Sequence, residues 1–328
     1  MTSHNSAESL SALSRVTLGR TGLSVSHLAL GTVELGVDYG IPAPGHFGKP
    51  SVNDAIRLVH AAIDAGINFI DTARAYGSSE EVLGQALADR RDQVVLASKV
   101  TTQLPDSTPT PDATLKAHMR ESLHTSLTAL RTDTLDVWQI HNVDATTLAQ
   151  CETLAELFDE VRRAGKVRFV GGSFYGADLP SQALTADLFD VMQVTYSVLD
   201  QRINDTFLPQ AAAQNVGVIV RSILLKGALT ARGDFLPDNL EELRAASRHF
   251  RELVAQHLPQ SSAPQAAIAF GLAHPHIHSV LVGVRTEQEI HENIQAAQLT
   301  LSTDFLAACA VLRIDNPDLL NPGTWGIP

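Results

Sequence analysis

Asp71 and Tyr76 stand five residues apart in the stretch Asn68-Phe-Ile-Asp-Thr-Ala-Arg-Ala-Tyr-Gly77, where an apolar run entering from Gly66 ends. Lys99 closes a second such run, Val94-Val-Leu-Ala-Ser98, and His141 follows a third, Leu135 to Ile140. Singly, each has a plainer use. Asp71 ties down a turn, Tyr76 packs in a loop with its hydroxyl in water, and His141 is one of thirteen histidines. Lys99 resists that treatment, because an ammonium buried without a paired carboxylate is costly. Asp71, one run away, supplies the carboxylate. Together the four suit the reduction of a carbonyl. A phenol of pKa ~10 is a sluggish proton donor at neutral pH. A neighbouring ammonium favours the phenolate and is expected to bring that pKa down toward working pH. Asp71 keeps the lysine charged and aimed, and His141 orients the substrate oxygen. The hydride has to come from a cofactor, since no side chain supplies one.

The elements that must position these groups alternate along the chain. Short β-branched or apolar runs predict strands at Leu28–Leu30, Asn68–Ile70, Val94–Ser98, Leu135–Ile140, Val167–Gly171, Val191–Val194, Gly217–Val220 and Ser279–Val282. Helical spacing separates them. One apolar stripe is Ile56, Val59, Ala62 and Ile63 behind a Ser51 cap. A second is Leu115, Met119, Leu123, Leu127 and Leu130, with Thr110 and Pro111 at the cap and first helical positions. A third is Leu154, Leu157, Phe158 and Val161. Gly66, Gly165 and Gly217 each precede a strand, where a left-handed helix cap is expected. Strands separated by helices predict right-handed βαβ units and a parallel sheet. Eight of them predict a closed α/β (β/α)8 TIM barrel with an N-terminal β-hairpin around Gly19-Arg-Thr-Gly22 plugging its bottom. The rival doubly wound sheet wants Gly-x-Gly-x-x-Gly after its first strand, and the chain contains no Gly-x-Gly.

Residues 1–14 are Ser-rich and polar and read as a flexible tail, leaving 15–328 as one barrel domain. The last stretch, Asn316 to Pro328, reads as an ordered tail without regular structure near the barrel mouth. The net charge of −12 argues against nucleic acid as a partner. Every apolar run is far shorter than the ~20 residues that span a bilayer. Cys151 and Cys309 read as reduced thiols of a cytoplasmic protein.

In a barrel, residues past the strand C-termini converge on the face that carries chemistry. There the motifs Gly66 to Gly77, Ala97-Ser-Lys-Val100, Gln139-Ile-His-Asn142, Gly165-Lys-Val-Arg168, Gly172-Ser173 and Val282-Gly-Val-Arg285 with Glu292-Asn293 accumulate. The chain resembles the aldo-keto reductases on these motifs over nearly its whole length. The resemblance implies an NADP(H)-dependent oxidoreductase, with NAD(H) as the other cofactor, that interconverts a small carbonyl compound and its alcohol. It implies the tetrad Asp71, Tyr76, Lys99 and His141. It places cofactor contacts on Ser173, Gln193, Arg221, Ser222, Leu224, Gly283, Arg285, Glu289, Glu292 and Asn293. Two positions depart from the family pattern: Phe174 stands where an Asn helps hold the nicotinamide carboxamide, and Arg221 where an aromatic stacks on the ring. Arg221 either takes over that stacking or reaches a phosphate. Arg285 points to the 2′-phosphate of NADP(H), while a carboxylate at Glu289 suits the ribose of NAD(H). Tyr39, in the long first βα connection, and Trp325, in the tail, are the candidates for a substrate pocket.

Four other readings are open to these residues. A cofactor-binding regulatory subunit of the same fold would have little turnover. A barrel lysine such as Lys99 also forms Schiff bases in aldolases. Gly171-Gly-Ser-Phe-Tyr-Gly176 falls one residue short of a hydrolase nucleophile elbow, and His274-Pro-His-Ile-His278 lacks nearby partners for a metal.

Overall fold

Eight parallel strands close on themselves in the computed structural model, which describes residues 13–44, 47–103 and 111–327. Two short strands come first, β1 (Arg15–Thr17) and β2 (Ser24–Ser26), paired antiparallel with Val16 opposite Val25. The barrel is β3 (Leu28–Gly31), β4 (Phe69–Asp71), β5 (Val95–Val100), β6 (Leu135–Ile140), β7 (Val167–Ser173), β8 (Val191–Thr195), β9 (Gly217–Arg221) and β10 (Ser279–Gly283), with β10 pairing back onto β3. All eight lie on the predicted runs, and helices surround them. The helices of residues 112–129 and 151–163 bury the predicted stripes, and Ser51 caps Val52–Asp64 by accepting from the Asp54 N–H.

The period of two along each strand sorts the two sides of the barrel wall. Leu28, Leu30, Ile70, Leu96, Trp138, Met192, Val218 and Val280 pack outward with the helices. Ala29, Phe69, Val95, Ala97, Val137, Val191, Ile219 and Leu281 form a separate inner cluster with Leu18, Leu23 and Val25 of the hairpin. The hairpin therefore seals the bottom, as expected. Its seat is glycine-dependent: a Cβ on Gly217 would sit 2.9 Å from the Leu18 side chain, and one on Gly19 would sit 2.3 Å from the Gly217 nitrogen.

That seat corrects one reading. Gly66 and Gly165 take positive φ after their helices, but Gly217 does not; Asn215 adopts the left-handed conformation there, at φ 52°. Gly217 is small because the plug passes close to it. Pro111 is the N-cap of the helix Asp112–Ala129 and not its first residue, and Thr110 lies outside the described residues. So do residues 1–12 of the expected N-terminal tail. The C-terminal stretch carries two short helical turns, Pro317–Leu320 and Pro322–Thr324, so it is not free of regular structure. It does reach the mouth, where Lys226 Nζ donates to the Ile327 carbonyl at 2.8 Å. Among the described residues no helix is long and apolar enough to cross a membrane. No group of three or more His, Cys, Asp or Glu among them could hold a metal.

Candidate active site

Followed upward, the inward-facing phase of the strands changes from apolar to polar. Above Ala29, Phe69, Ala97, Val137, Val191, Ile219 and Leu281 come Gly31, Asp71, Lys99, Gln139, Gln193, Arg221 and Gly283. A cavity of about 400 Å³ opens over them. It is bordered by Asp71, Tyr76, His141, Gln193, Tyr39 and Arg221 among others.

Lys99 is fully buried and donates to Asp71 Oδ2, to the Thr72 carbonyl at 3.0 Å and to Tyr76 Oη at 3.4 Å. Burial pulls its ammonium toward neutrality, but Asp71 and then Tyr76 outweigh this and hold its pKa above the ordinary value. Asp71 is held from its other oxygen as well: Gln139 and Gln193 donate to Oδ1 at 2.8 and 3.0 Å. Gln139 received no role from the sequence. The alternation that sets it one inward step above Val137 was the available signal.

The turn carrying Tyr76 is locked by small residues. The Ser79 hydroxyl donates to Thr32, and Arg74 pairs with the buried Glu80, which accepts from Ser98 at 2.6 Å. A Cβ on Gly36 would fall 1.8 Å from the Tyr76 carbonyl oxygen, so only glycine admits the turn. The His141 ring meets Tyr76 edge to face, with centroids 5.6 Å apart. Burial, then the Lys99 and Arg221 charges, push the His141 imidazole down to about 3. It is neutral throughout the physiological range.

The phenol departs from expectation. Burial raises the Tyr76 pKa by more than Lys99 lowers it, and the net value lies above the ordinary one. Lys99 limits the rise without reversing it. Tyr76 therefore holds its proton until an alkoxide, a stronger base than a phenolate, develops beside it.

Around the rest of the cavity, Ser222, Leu224, Gly283, Arg285, Glu289, Glu292 and Asn293 all form part of the lining. Ser222, Leu225 and Lys226 take positive φ within five residues, a concentration of backbone strain typical of binding loops. Arg285 donates its backbone N–H to Glu289 at 2.6 Å and its guanidinium to the Tyr39 carbonyl. Burial pushes the Glu34 carboxyl above the usual range against the pull of Arg285. Its Oε2 and Arg285 Nε are buried with no hydrogen-bond partner among the described residues. The carboxyl lies over Gly283, where a Cβ would come within 2.2 Å of it. Orphaned polar atoms, four basic side chains (Arg221, Lys226, Arg232, Arg285) and a glycine floor fit a dinucleotide.

The remaining candidates divide between the lining and the core. Ser173 is fully buried and accepts from Arg221 at 3.3 Å. Phe174 faces the core, edge to face with Phe189, so this departure from the family pattern is a packing residue. Its carbonyl accepts from Arg221 at 3.2 Å. Tyr39 borders the cavity with Lys226 over its ring, whereas Trp325 is buried in the outer core, away from the lining. Sequence reasoning passed over Glu34, Lys226 and Arg232, which sit in helical turns too short for any periodicity to mark a residue.

The model of the aldo/keto reductase family matches residues 27–314. The chain belongs to that family and is an oxidoreductase of the kind that reduces carbonyl compounds with a nicotinamide cofactor. It is 31% identical to the uncharacterized oxidoreductase YrpG of Bacillus subtilis (strain 168), over 88% of this chain and 92% of that one. It is 29% identical to the NADH-specific methylglyoxal reductase of Escherichia coli (strain K12), over 88% and 95%. Among solved structures, the holo form of the aldo-keto reductase AKR11C1 from Bacillus halodurans superposes with a TM-score of 0.74 at 25% identity, covering 92% of this chain and 96% of that one.

Proposed function

We propose that the protein reduces small aldehydes or ketones to alcohols, with Tyr76 as proton donor and NAD(H) as the preferred dinucleotide. The observation that carries this reading is the buried chain Asp71–Lys99–Tyr76 opening on a cavity lined for an anionic cofactor. When bound, the nicotinamide supplies the hydride. Gln193 holds its carboxamide in this reading, with Ser173 buried behind Arg221, and Arg285, Glu289, Glu292 and Asn293 take the adenosine end. His141, neutral, donates or accepts one hydrogen bond at the substrate oxygen and holds it against Tyr76. Tyr76 passes its proton to that oxygen as negative charge develops there, and the Lys99 ammonium stabilises the phenolate left behind. Asp71, fixed by Gln139, keeps the ammonium in place.

The sequence leaned toward NADP(H) on the strength of Arg285. The geometry favours NAD(H): the Arg285 guanidinium is turned toward Tyr39 and Glu34, and Glu289 and Glu292 leave carboxylates where a 2′-phosphate would be repelled. The unpaired thiols Cys151 and Cys309 suit a reducing cytoplasm. Fluorescence titration with NADH and NADPH, followed by turnover on a panel of aldehydes, tests this reading. Tighter binding of NADH with carbonyl turnover is expected; binding of neither dinucleotide would overturn it.

A further inference from the structure

Among the described residues, the guanidinium of Arg221 has no counter-charge. It is half-buried on the cavity wall, and among the described residues its hydrogen bonds go to three neutral oxygens: Ser173 Oγ at 3.3 Å, Ser222 Oγ at 3.3 Å and the Phe174 carbonyl at 3.2 Å. Its remaining contact is the Tyr175 ring, with the guanidinium carbon 4.0 Å from the centroid. Every other cation in the catalytic chain is paired; Lys99 has Asp71. The Arg221 charge is felt at Tyr76, at His141 and at Tyr39, so it acts on the reaction end of the cavity. Arg232 and Arg285 form a separate group beside Glu34 and Glu289.

We propose that Arg221 makes this site discriminate between the redox states of its cofactor, holding the reduced dinucleotide more tightly than the oxidised one. The inference rests on the reading above, in which Gln193, on the cavity lining, holds the nicotinamide carboxamide. Arg221, in the same lining and with its charge felt at Tyr76 and His141, then lies beside the nicotinamide. The reduced ring is neutral and the oxidised ring carries a positive charge, while the rest of the dinucleotide is the same. An uncompensated cation nearby therefore acts on one form only. At about 6 Å and an effective dielectric of about 20 to 40, the repulsion amounts to a preference on the order of tenfold or more. An aromatic at this position would lack that effect. By linkage, a site that holds the reduced form more tightly is loaded with it preferentially, releases the oxidised form readily, and makes the bound cofactor a weaker hydride donor than the free one.

The test is equilibrium binding of NADH and NAD+ to the full-length wild type and to Arg221→Met, Arg221→Tyr and Arg221→Lys, by calorimetry and by quenching of protein fluorescence. The wild type should bind NADH at least about tenfold more tightly than NAD+. Both neutral variants should shrink that ratio several-fold, chiefly by tightening NAD+, and Arg221→Lys should keep most of it. Equal affinity of the wild type for the two forms overturns the proposal without any variant. So does equal weakening of both forms in Arg221→Met, which would assign the guanidinium to a phosphate. Failure of the wild type to bind NADH, NAD+ or NADPH would overturn the proposed function itself.

Discussion

Gln139 donates its side-chain amide to Asp71 Oδ1 at 2.8 Å, deep in the barrel and out of contact with the cavity. Gln193 shares the same oxygen and borders the cavity, so in the proposed complex it is drawn toward the carboxamide. Gln139 then becomes the remaining amide donor on Oδ1. It is a positioning residue for the ion pair that supports Tyr76.

Gln139→Leu should leave the Asp71 carboxylate short of a donor and destabilise the protein by about 1–3 kcal/mol, read as a lower Tm. The same variant should lose roughly tenfold in kcat, with the alkaline limb of the pH–rate profile displaced. A purely structural role would lower Tm and leave that limb where it was. Gln139→Asn, which keeps an amide on a shorter arm, should recover part of the loss.

Glu34 predicts a pH dependence for cofactor binding. Burial raises its pKa above the ordinary 4.5, and phosphates arriving beside it would raise it further. Binding then takes up a proton, so affinity falls as pH rises through the Glu34 pKa, by about tenfold per unit at most. Glu34→Gln should bind the dinucleotide more tightly at alkaline pH and lose most of that slope. A raised carboxyl pKa also means that stability present below 4.5 is lost as pH rises through the folded value. The Gln variant should therefore melt higher than wild type at neutral pH. Isothermal titration from pH 5 to 9 and thermal melts check both.

Gly36 is placed to report on the Tyr76 turn. Its substitution by Ala puts a methyl 1.8 Å from the Tyr76 carbonyl and 2.9 Å from the Ser79 Cβ. The backbone on one side must move. Gly36→Ala should destabilise by about 3 kcal/mol or more and cut turnover in whatever protein folds. Gly176→Ala, at a glycine with nothing within 4 Å, should lower Tm less. It strains only its own φ of 71°.

Much of this was legible because two periodicities do the positioning. Apolar runs of strand length separated by helical stripes predicted eight strands, and the residue after each run then fell at the mouth. What stayed hidden depends on contacts between distant segments. Gly217 was read as a helix cap, but the hairpin pressing on it is 199 residues away in sequence, at Leu18. Phe174 looked like a weakened cofactor contact until Phe189 showed it to be core. The Tyr76 pKa was misjudged because a neighbouring charge is readable from sequence and the depth of burial is not. Trp325, an aromatic in a proline-rich tail, suggested a pocket wall and packs in the core instead.

The central claim is that Tyr76 delivers the proton with Lys99 at its oxygen, 3.4 Å away. Tyr76→Phe removes that one hydroxyl and leaves the ring against His141. Measured side by side, the Kd for NADH should stay within about twofold of wild type while kcat for an aldehyde falls by roughly 10²–10⁴. Reduction of the aldehyde at the parent rate by this variant would contradict the account.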